Sequence, residues 1–378
     1  MQRRFLWFLA LPALLAAAAP ASPLKDVLQP FVDRHEVAGA VVLVADRDRV
    51  LAEEATGFAD IAAGTPMRAD TTFWIASMSK AMTAAALMML VDEGKVDADA
   101  PVEKYLPEFK GQWLAAEQDA EHVLLRKPKH PITVRNILSH TSGLPFKSAL
   151  EEPTLDGLPL CDAVRSYAMT PLQFEPDRKY QYSNAGINTA GRIIEVASGL
   201  SYEAFLQQRL FDPLGMKDTT FWPTAAQVAR LARSYRPNKA KDGLEAFDIG
   251  QLKYPLDGPG RHPMPAGGLF STAADVARFC RLLLGDGMFE GRRLLSEASV
   301  KQMTSRQTAP DLKESYGFGL SCGDGWFGHG GAHATDMTVN RAKNLITVYM
   351  VQHAGFPGEG KQCLGAFKKA AEQQFGAK

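Results

Sequence analysis

The sequence predicts an α+β fold in which both ends of the chain build one antiparallel sheet and a helical lobe is inserted between them. Segments 39–45 and 50–55 have strand character and flank a charged turn, which is typical of a β-hairpin. A second pair of such segments, 332–340 and 345–353, lies near the other end of the chain. Helical periodicity dominates the region between the two hairpins, so sheet segments at both termini enclose helical ones.

The helical segments share apolar residues that recur every three or four positions. They cover 77–93, 134–139, 184–198, 202–210 and 273–284, and a last helix is expected around 363–374, where it would cover the sheet. Gly94 and Gly199 follow two of these helices, at the position where glycine commonly ends a helix. Residues 107–131 are rich in charge and proline and are predicted to form a surface loop.

The length and composition favour two lobes and exclude one class of partner. With 378 residues, 46% of them hydrophobic, the chain exceeds the size that one core usually serves. We expect a sheet lobe of about 24–75 and 290–378 and a helical lobe of about 95–280. The 42 basic and 42 acidic residues balance, and no basic run is interleaved with aromatic residues, so a nucleic-acid partner is not expected.

Residues 1–21 are predicted to be a cleavable signal peptide, with the mature domain at 22–378. Arg3 and Arg4 precede an apolar stretch, and small residues at 19–21 suit a cleavage site. The stretch is short and is interrupted by Pro12, so an integral membrane span is not expected. The protein is therefore expected in a periplasm or outside the cell.

Four scattered cysteines fit an oxidising compartment without requiring disulfides. Their spacing excludes a close Cys-x-x-Cys metal or redox pair, and buried free thiols are favoured over disulfide bonds. The four are Cys161, Cys280, Cys322 and Cys363.

Ser77 and Lys80 form a Ser-x-x-Lys pair at the start of a helix that is apolar on nearly every side. The three-residue spacing places both side chains on one helix face, and burial would lower the lysine pKa so that it could act as a base. A purely structural interpretation makes Ser77 a helix cap and Lys80 a side chain that extends to the surface. Residues 22–25 match the same pattern, but Pro23 does not suit a helix there.

Two further short motifs supply the other groups that serine acyl transfer needs. Tyr182 and Asn184 form a Tyr-x-Asn motif where an extended stretch turns into a helix, and alone this motif would indicate a helix cap beside a core tyrosine. His329 precedes Gly330 and Gly331, and glycines there would allow a substrate to lie against the backbone.

Three other patterns are weaker. The string 319–323 matches the Gly-x-Ser-x-Gly nucleophile elbow, but no helix is predicted after it, so Ser321 is expected in a strand. The string 323–328 matches Gly-x-Gly-x-x-Gly without a βαβ unit. His329 and His333 could suggest a metal pair, but the helical His-Glu-x-x-His pattern is missing. No metal and no cofactor are expected.

With these motifs in this order, the chain resembles the serine β-lactamase-related superfamily, in its branch near class C β-lactamases, D-stereospecific peptidases and bacterial esterases. The likeness covers about 24–352 and includes the longer strings 137–144, 182–200, 211–216 and 267–272. It implies a β-lactamase/transpeptidase-like fold with the site where the two lobes meet. It also implies a small-molecule or peptide substrate, and gives no indication of oligomeric state.

The resemblance implies a role for each motif residue. Ser77 would be the acylated nucleophile, Lys80 would help to deprotonate it, and Tyr182 would pass the proton to the leaving group. Asn184 would position the substrate, and His329 would stand where related proteins often have lysine. The N–H groups of Ser77 and Ala332 would form the oxyanion hole, with Gly331 completing the substrate-binding strand.

The chain departs from the family pattern at Gly330, where β-lactam- and D-Ala-D-Ala-directed relatives usually have threonine or serine. The hydroxyl that would hold a substrate carboxylate is missing, although Thr335 could replace it. This shifts the prediction to an exported serine hydrolase that acts on esters, amides or D-amino-acid peptides. The alternatives are a β-lactamase or D-alanyl-D-alanine carboxypeptidase and, from another class, a non-catalytic wall-binding module.

Overall fold

The computed structural model describes residues 23–377, so the predicted signal peptide lies outside the described residues. The helices are α1 Pro23–Asp33, α2 Ser79–Asp92, α3 Val134–Leu138, α4 Leu160–Met169, α5 Asn184–Ser198, α6 Tyr202–Leu206, α7 Asp212–Leu214, α8 Ala225–Val228, α9 Ala273–Leu284, α10 Glu297–Thr304 and α11 Cys363–Phe375.

The strands form one large sheet and several two-stranded pairs. They are β1 Gly39–Ala45, β2 Val50–Asp60, β3 Thr65–Pro66, β4 Phe73–Trp74, β5 Leu114–Gln118, β6 Val123–Arg126, β7 Ser234–Pro237, β8 Leu244–Phe247, β9 Phe270–Ser271, β10 Met288–Phe289, β11 Arg292–Arg293, β12 Ser321–Gly323, β13 Trp326–Gly330, β14 Asp336–Asn340 and β15 Leu345–Met350.

The large sheet has seven strands in the order β12-β13-β14-β15-β1-β2-β3, and its neighbours pair antiparallel. The two ends of the chain meet where β1 pairs with β15, with Val42 opposite Tyr349. Every residue of β1 is buried, which explains its unbroken apolar sequence. The predicted α+β class and the sheet built from both termini are confirmed.

Both faces of the sheet are covered by helices. Val42 and Val44 point to one side, where they pack in a core with Phe367 of α11 and with α1. Val41 and Leu43 point to the other, toward α9 and the core around α2. Helix α9 therefore packs on the sheet, and the predicted end of the helical lobe, at about residue 280, falls within this helix.

Helix α2 is the central helix of the molecule. All of its residues from Ser79 to Leu90 are buried, and it packs against α5, α6 and α10. Such a position agrees with its apolar sequence on all sides. Gly94 and Gly199 have φ values of 70° and 74° after α2 and α5, the left-handed conformation that glycine adopts at helix ends.

The structure corrects three predictions of detail. The inserted lobe is not wholly helical, because it contains the hairpins β5–β6 and β7–β8, and the first of these lies within the predicted loop 107–131. The predicted strand 332–340 begins only at Asp336, and residues 331–335 form a tight turn after β13. The predicted helix 202–210 divides into α6 and a turn of π-helix, Gln207–Phe211.

All four cysteines are free thiols; Cys161 is partly exposed and the other three are buried. Across residues 23–377, no helix has both the length and the apolar character needed to cross a bilayer.

Candidate active site

Ser77 lies in a single 3₁₀ turn, Ala76–Met78, that leads directly into α2. Ala76 has a φ of 45°, a left-handed conformation that is strained for a residue with a side chain. The Ser79 hydroxyl donates to the Ala76 carbonyl at 2.6 Å and accepts the Leu269 N–H at 3.3 Å. These bonds hold the strained turn, and they leave Ser77 partly exposed beside the start of the helix.

The side chain of Lys80 is fully buried. Its Nζ lies 2.8 Å from Asn184 Oδ1, 2.6 Å from the Ala266 carbonyl oxygen and 3.2 Å from Ser77 Oγ. Within residues 23–377, no carboxylate forms an ion pair with it. Burial lowers the pKa of Lys80 well below its usual value, because the charged form loses its hydration.

The partners of Lys80 indicate how a neutral amine would orient. A neutral amine has two N–H donors and one lone pair, and the oxygens of Asn184 and Ala266 can only accept. These two oxygens take both hydrogens, so the lone pair remains for the third neighbour, the hydroxyl of Ser77. The arrangement places a base beside a nucleophile.

Asn184 is the first residue of α5, and a cap fixes its position. The Ser183 hydroxyl accepts the Gly186 N–H at 3.0 Å and donates to the Pro145 carbonyl at 2.6 Å. The Asn184 N–H donates to the Phe146 carbonyl at 3.0 Å. The helix cap expected from the sequence is therefore present, and it also directs the Asn184 amide oxygen at Lys80.

The Tyr182 ring lies over the buried amine, with its centroid 4.7 Å from Lys80 Nζ. Its hydroxyl is 3.4 Å from His329 Nε2 and lies beside Ser77. Burial raises the pKa of Tyr182, and the contact with Ser77 opposes this rise only in part. Tyr182 therefore keeps its proton at neutral pH and can donate it.

His329, near the end of β13, is a neutral hydrogen-bonding group rather than a cation. Burial lowers its pKa to about 4; a positive charge on Lys80 contributes in the same direction, and the Gly330 carbonyl opposes it. Its Nδ1 lies 2.7 Å from the Gly330 carbonyl oxygen and its Nε2 lies 3.0 Å from the Tyr316 hydroxyl. At neutral pH, His329 does not supply the positive charge of the lysine that it would replace.

Gly331 lies where the end of β13 meets the turn Ala76–Met78, which carries Ser77. A Cβ atom at this position would lie 2.1 Å from Thr335 Oγ1 and 2.6 Å from the Ile75 carbonyl oxygen, so only glycine fits. The Gly331 N–H donates to the Thr335 carbonyl at 2.7 Å. The next residue, Ala332, is exposed, and its N–H forms no hydrogen bond with the rest of chain 23–377.

Neither Gly330 nor Thr335 offers an accessible hydroxyl group that could bind a substrate carboxylate. Gly330 is exposed, and a Cβ there would meet only the Thr335 carbonyl oxygen, at 3.5 Å. Thr335 is buried, and its hydroxyl lies 3.4 Å from the Ile75 carbonyl oxygen. The hydroxyl of Thr335 is therefore turned into the interior, contrary to the expectation that it could replace the missing one.

The structure brings Ser77, Lys80, Tyr182, Asn184 and His329 together, through the hydrogen bonds of Lys80 and the contacts of the Tyr182 ring and hydroxyl. It also adds three neighbours that the sequence analysis did not single out: Tyr316 at His329, the buried His140 with its ring 4.5 Å from Tyr182, and Phe146 with its ring 6.5 Å from Tyr182. His140 belongs to one of the strings that carry the resemblance, whereas no motif marks Tyr316.

The weaker patterns have structural roles. Ser321 begins strand β12, as expected. Gly319 has a φ of 68°, and a Cβ there would lie 2.6 Å from the Lys80 carbonyl oxygen, so this glycine allows close packing on α2. His333 Nδ1 contacts Ser234 and Gln352 rather than His329. The part of the chain that the structure describes contains no cluster of metal-ligating side chains.

This fold and this site define a serine hydrolase. Comparison with known proteins agrees: the family model described as Beta-lactamase matches residues 24–371. Protein Rv1367c of Mycobacterium tuberculosis (strain ATCC 25618 / H37Rv) is 33% identical over 363 residues, which cover 85% of this chain and 87% of that protein. Esterase EstB of Burkholderia gladioli is 31% identical over 288 residues, 70% of each chain.

A solved structure shows the same fold. Unliganded simvastatin synthase (LovD) from Aspergillus terreus, as its selenomethionyl derivative, matches with a TM-score of 0.79 at 22% identity, covering 95% of this chain and 99% of that one. The chain thus belongs to the Beta-lactamase family, within the serine β-lactamase/transpeptidase superfamily.

Proposed function

We propose that this protein is an exported serine hydrolase that cleaves esters through an acyl-enzyme at Ser77. The observation that carries the proposal is the fully buried Lys80, whose two hydrogens are taken by carbonyl-type oxygens and whose third neighbour is the Ser77 hydroxyl. A buried amine with a lowered pKa can accept the serine proton near neutral pH.

In the proposed acylation step, Ser77 Oγ attacks the ester carbonyl carbon while its proton moves to Lys80. A bond forms between Oγ and the carbonyl carbon, and the bond from that carbon to the leaving oxygen breaks. Tyr182 donates its hydroxyl proton to the leaving oxygen and is reprotonated from Lys80, so the alcohol leaves neutral. The Tyr182 ring centroid lies 4.7 Å from Lys80 Nζ, so the two residues are neighbours in the site, which supports this exchange.

In the proposed deacylation step, water attacks the acyl-enzyme by the same proton path in reverse and releases the acid. The N–H groups of Ser77 and Ala332 would stabilise the oxyanion in both steps, each contributing about 3 kcal/mol. The free N–H of Ala332, next to the closely packed Gly331, supports this role.

The strand end supports ester substrates over substrates with a free carboxylate. At neutral pH, His329 is uncharged, Gly330 has no hydroxyl and the Thr335 hydroxyl is buried. None of these three residues therefore offers a charge or a hydroxyl group to a substrate carboxylate. An ester without a carboxylate loses nothing from their absence. The esterase name of the relative EstB agrees with this assignment.

The nucleophile can be tested with a fluorophosphonate probe on the mature chain, residues 22–378. We expect one adduct, located at Ser77 by peptide mass spectrometry and lost in Ser77→Ala. Ser321→Ala is the matched control, because Ser321 lies in the competing Gly-x-Ser-x-Gly string, and its labelling should be unchanged. Labelling that survives Ser77→Ala would contradict the assignment, and no turnover of any ester, β-lactam or peptide would favour the non-catalytic module.

The substrate class needs a separate comparison. Short-chain p-nitrophenyl esters should be hydrolysed with a higher kcat/KM than nitrocefin or a D-Ala-D-Ala peptide. A higher kcat/KM for either carboxylate-bearing substrate would refute the ester assignment. Export can be examined by expressing the full chain and sequencing the N-terminus of the released protein, which we expect to begin at Ser22.

A further inference from the structure

Two tyrosine hydroxyls lie near one histidine nitrogen in the site. The Tyr316 hydroxyl is 3.0 Å from His329 Nε2, and the Tyr182 hydroxyl is 3.4 Å from the same atom. The mechanism proposed above uses Tyr182 and gives no role to Tyr316. The competition between the two hydroxyls suggests what Tyr316 does.

The hydrogen bond of the other ring nitrogen fixes the tautomer of His329. Nδ1 lies 2.7 Å from the Gly330 carbonyl oxygen, which can only accept, so Nδ1 carries the hydrogen. Nε2 of a neutral ring then has a single lone pair. That lone pair can accept one good hydrogen bond, and the shorter distance belongs to Tyr316.

Tyr316 is held rigidly enough to keep this bond. It is buried, and its carbonyl accepts the Gln307 N–H at 2.8 Å. The following Gly317 N–H donates to the Leu320 carbonyl, also at 2.8 Å. Within the described chain, the Tyr316 hydroxyl has no hydrogen-bond partner other than His329, so it donates its hydrogen bond to His329 Nε2.

We propose that Tyr316 is a positioning residue that occupies His329 Nε2 and thereby leaves the proton of Tyr182 free for the leaving oxygen of the substrate. The inference rests on the proposed function, because it assigns Tyr316 a task within that reaction. Without the Tyr316 hydroxyl, Tyr182 would donate to Nε2 instead. That hydrogen bond would have to break before Tyr182 could protonate the departing oxygen.

The proposal predicts an effect that depends on the leaving group. Ethoxide needs a proton as the carbon–oxygen bond breaks, whereas p-nitrophenolate leaves as a stable anion. Tyr316→Phe should therefore lower kcat/KM for ethyl butyrate by about 10-fold or more, and for p-nitrophenyl butyrate by less than about 3-fold, because only the first substrate needs general-acid help. Both substrates form the same acyl-enzyme, and kcat/KM reports the steps up to its formation.

Tyr180→Phe is the matched control. The Tyr180 ring lies 5.6 Å from that of Tyr316 in the same aromatic group, and its hydroxyl forms no hydrogen bond within the described chain. Its two kcat/KM values should stay within about 2-fold of wild type, because the substitution removes only a hydroxyl without a hydrogen-bond partner and keeps the ring. A second test uses the His329→Leu background, where no Nε2 can capture Tyr182, and there Tyr316→Phe should leave the ratio of the two kcat/KM values unchanged.

Equal losses on the two esters would overturn the proposal, since a change in folding or packing affects both alike. An unchanged ethyl butyrate rate would overturn it too, as would an equally altered ratio in the His329→Leu background. Failure of the proposed function has a different signature: wild type that hydrolyses neither ester and takes no fluorophosphonate at Ser77 would reject both. With normal labelling at Ser77, only the role of Tyr316 is in question.

Discussion

The two halves of the site are built differently. On the helical side, Ser77, Lys80 and Asn184 belong to a buried network in which the lysine amine has three fixed partners. On the strand side, residues 329–332 are partly or fully exposed, and Gly330 has open space where a side chain would lie. Close packing leaves little room for other side chains in the first half, whereas exposed positions of the second half have room for them.

This difference suggests separate tasks for the two halves, with the reaction at Ser77 on the helical side and the choice of substrate at the exposed part of the strand side. In the proposed mechanism, buried Lys80 activates Ser77, because burial lowers the lysine pKa and so favours the neutral amine that can act as a base. Gly330, the exposed strand position with room for a side chain, is where we expect the non-reacting part of a substrate to lie. Changes to the buried, closely packed groups should therefore abolish or strongly reduce turnover, and changes at the exposed Gly330 should alter which substrates are preferred.

The largest effect is expected for Lys80→Ala. Removing the base should lower kcat/KM for p-nitrophenyl butyrate by about 1,000-fold or more, within the range for loss of a general base beside a nucleophile. The control is Lys95→Ala, at an exposed lysine just after α2 that pairs with Glu93. Retention of more than a tenth of wild-type kcat/KM in Lys80→Ala would show that the proton goes elsewhere.

A smaller effect, still large, should separate two adjacent glycines. In Gly331→Ala, the new Cβ would overlap Thr335 Oγ1 and the Ile75 carbonyl oxygen. The end of β13 and the turn that carries Ser77 must therefore move apart. We expect a loss of about 100-fold in kcat, comparable to losing one oxyanion-hole donor. Gly330→Ala meets nothing closer than 3.5 Å and should stay near wild type. Similar losses in both variants would contradict the packing argument.

The pH dependence should report the buried lysine. Protonated Lys80 cannot accept the serine proton, so kcat/KM should fall on the acid side and reach a plateau below the usual lysine pKa. Asn184→Ala removes an acceptor that favours the ammonium form, so its acid limb should move to lower pH. His329, with a pKa of about 4, should add no limb near neutrality. A limb that moves upward in Asn184→Ala would contradict this assignment.

The smallest effect is expected at the substrate end of the strand. Gly330→Ser restores the missing hydroxyl at a position with space for it. We expect the ratio of nitrocefin to p-nitrophenyl butyrate kcat/KM to rise by about 10-fold, since a hydrogen bond to a carboxylate is worth about 1.5 kcal/mol and His329 stays neutral. An unchanged ratio would mean that Gly330 does not determine the preference.

The sequence alone determined the elements whose cause is local. The apolar pattern of α2, the three-residue spacing of Ser77 and Lys80 and the glycines after α2 and α5 each depend on neighbours within a few positions. The apolar run of β1 also identified it as a strand, and the α+β class followed from sheet segments at both ends. These properties follow from backbone geometry and the burial of apolar side chains.

Only the tertiary structure decided which distant groups meet. Ala266 supplies an acceptor to Lys80, and Tyr316 reaches His329, through contacts that no spacing in the sequence encodes. The charge states follow from the same enclosure, because desolvation is a property of all the surrounding atoms rather than of one segment. The turn at 331–335 was missed for the same reason, since it packs against the distant Ile75, whose carbonyl oxygen lies 3.4 Å from the Thr335 hydroxyl.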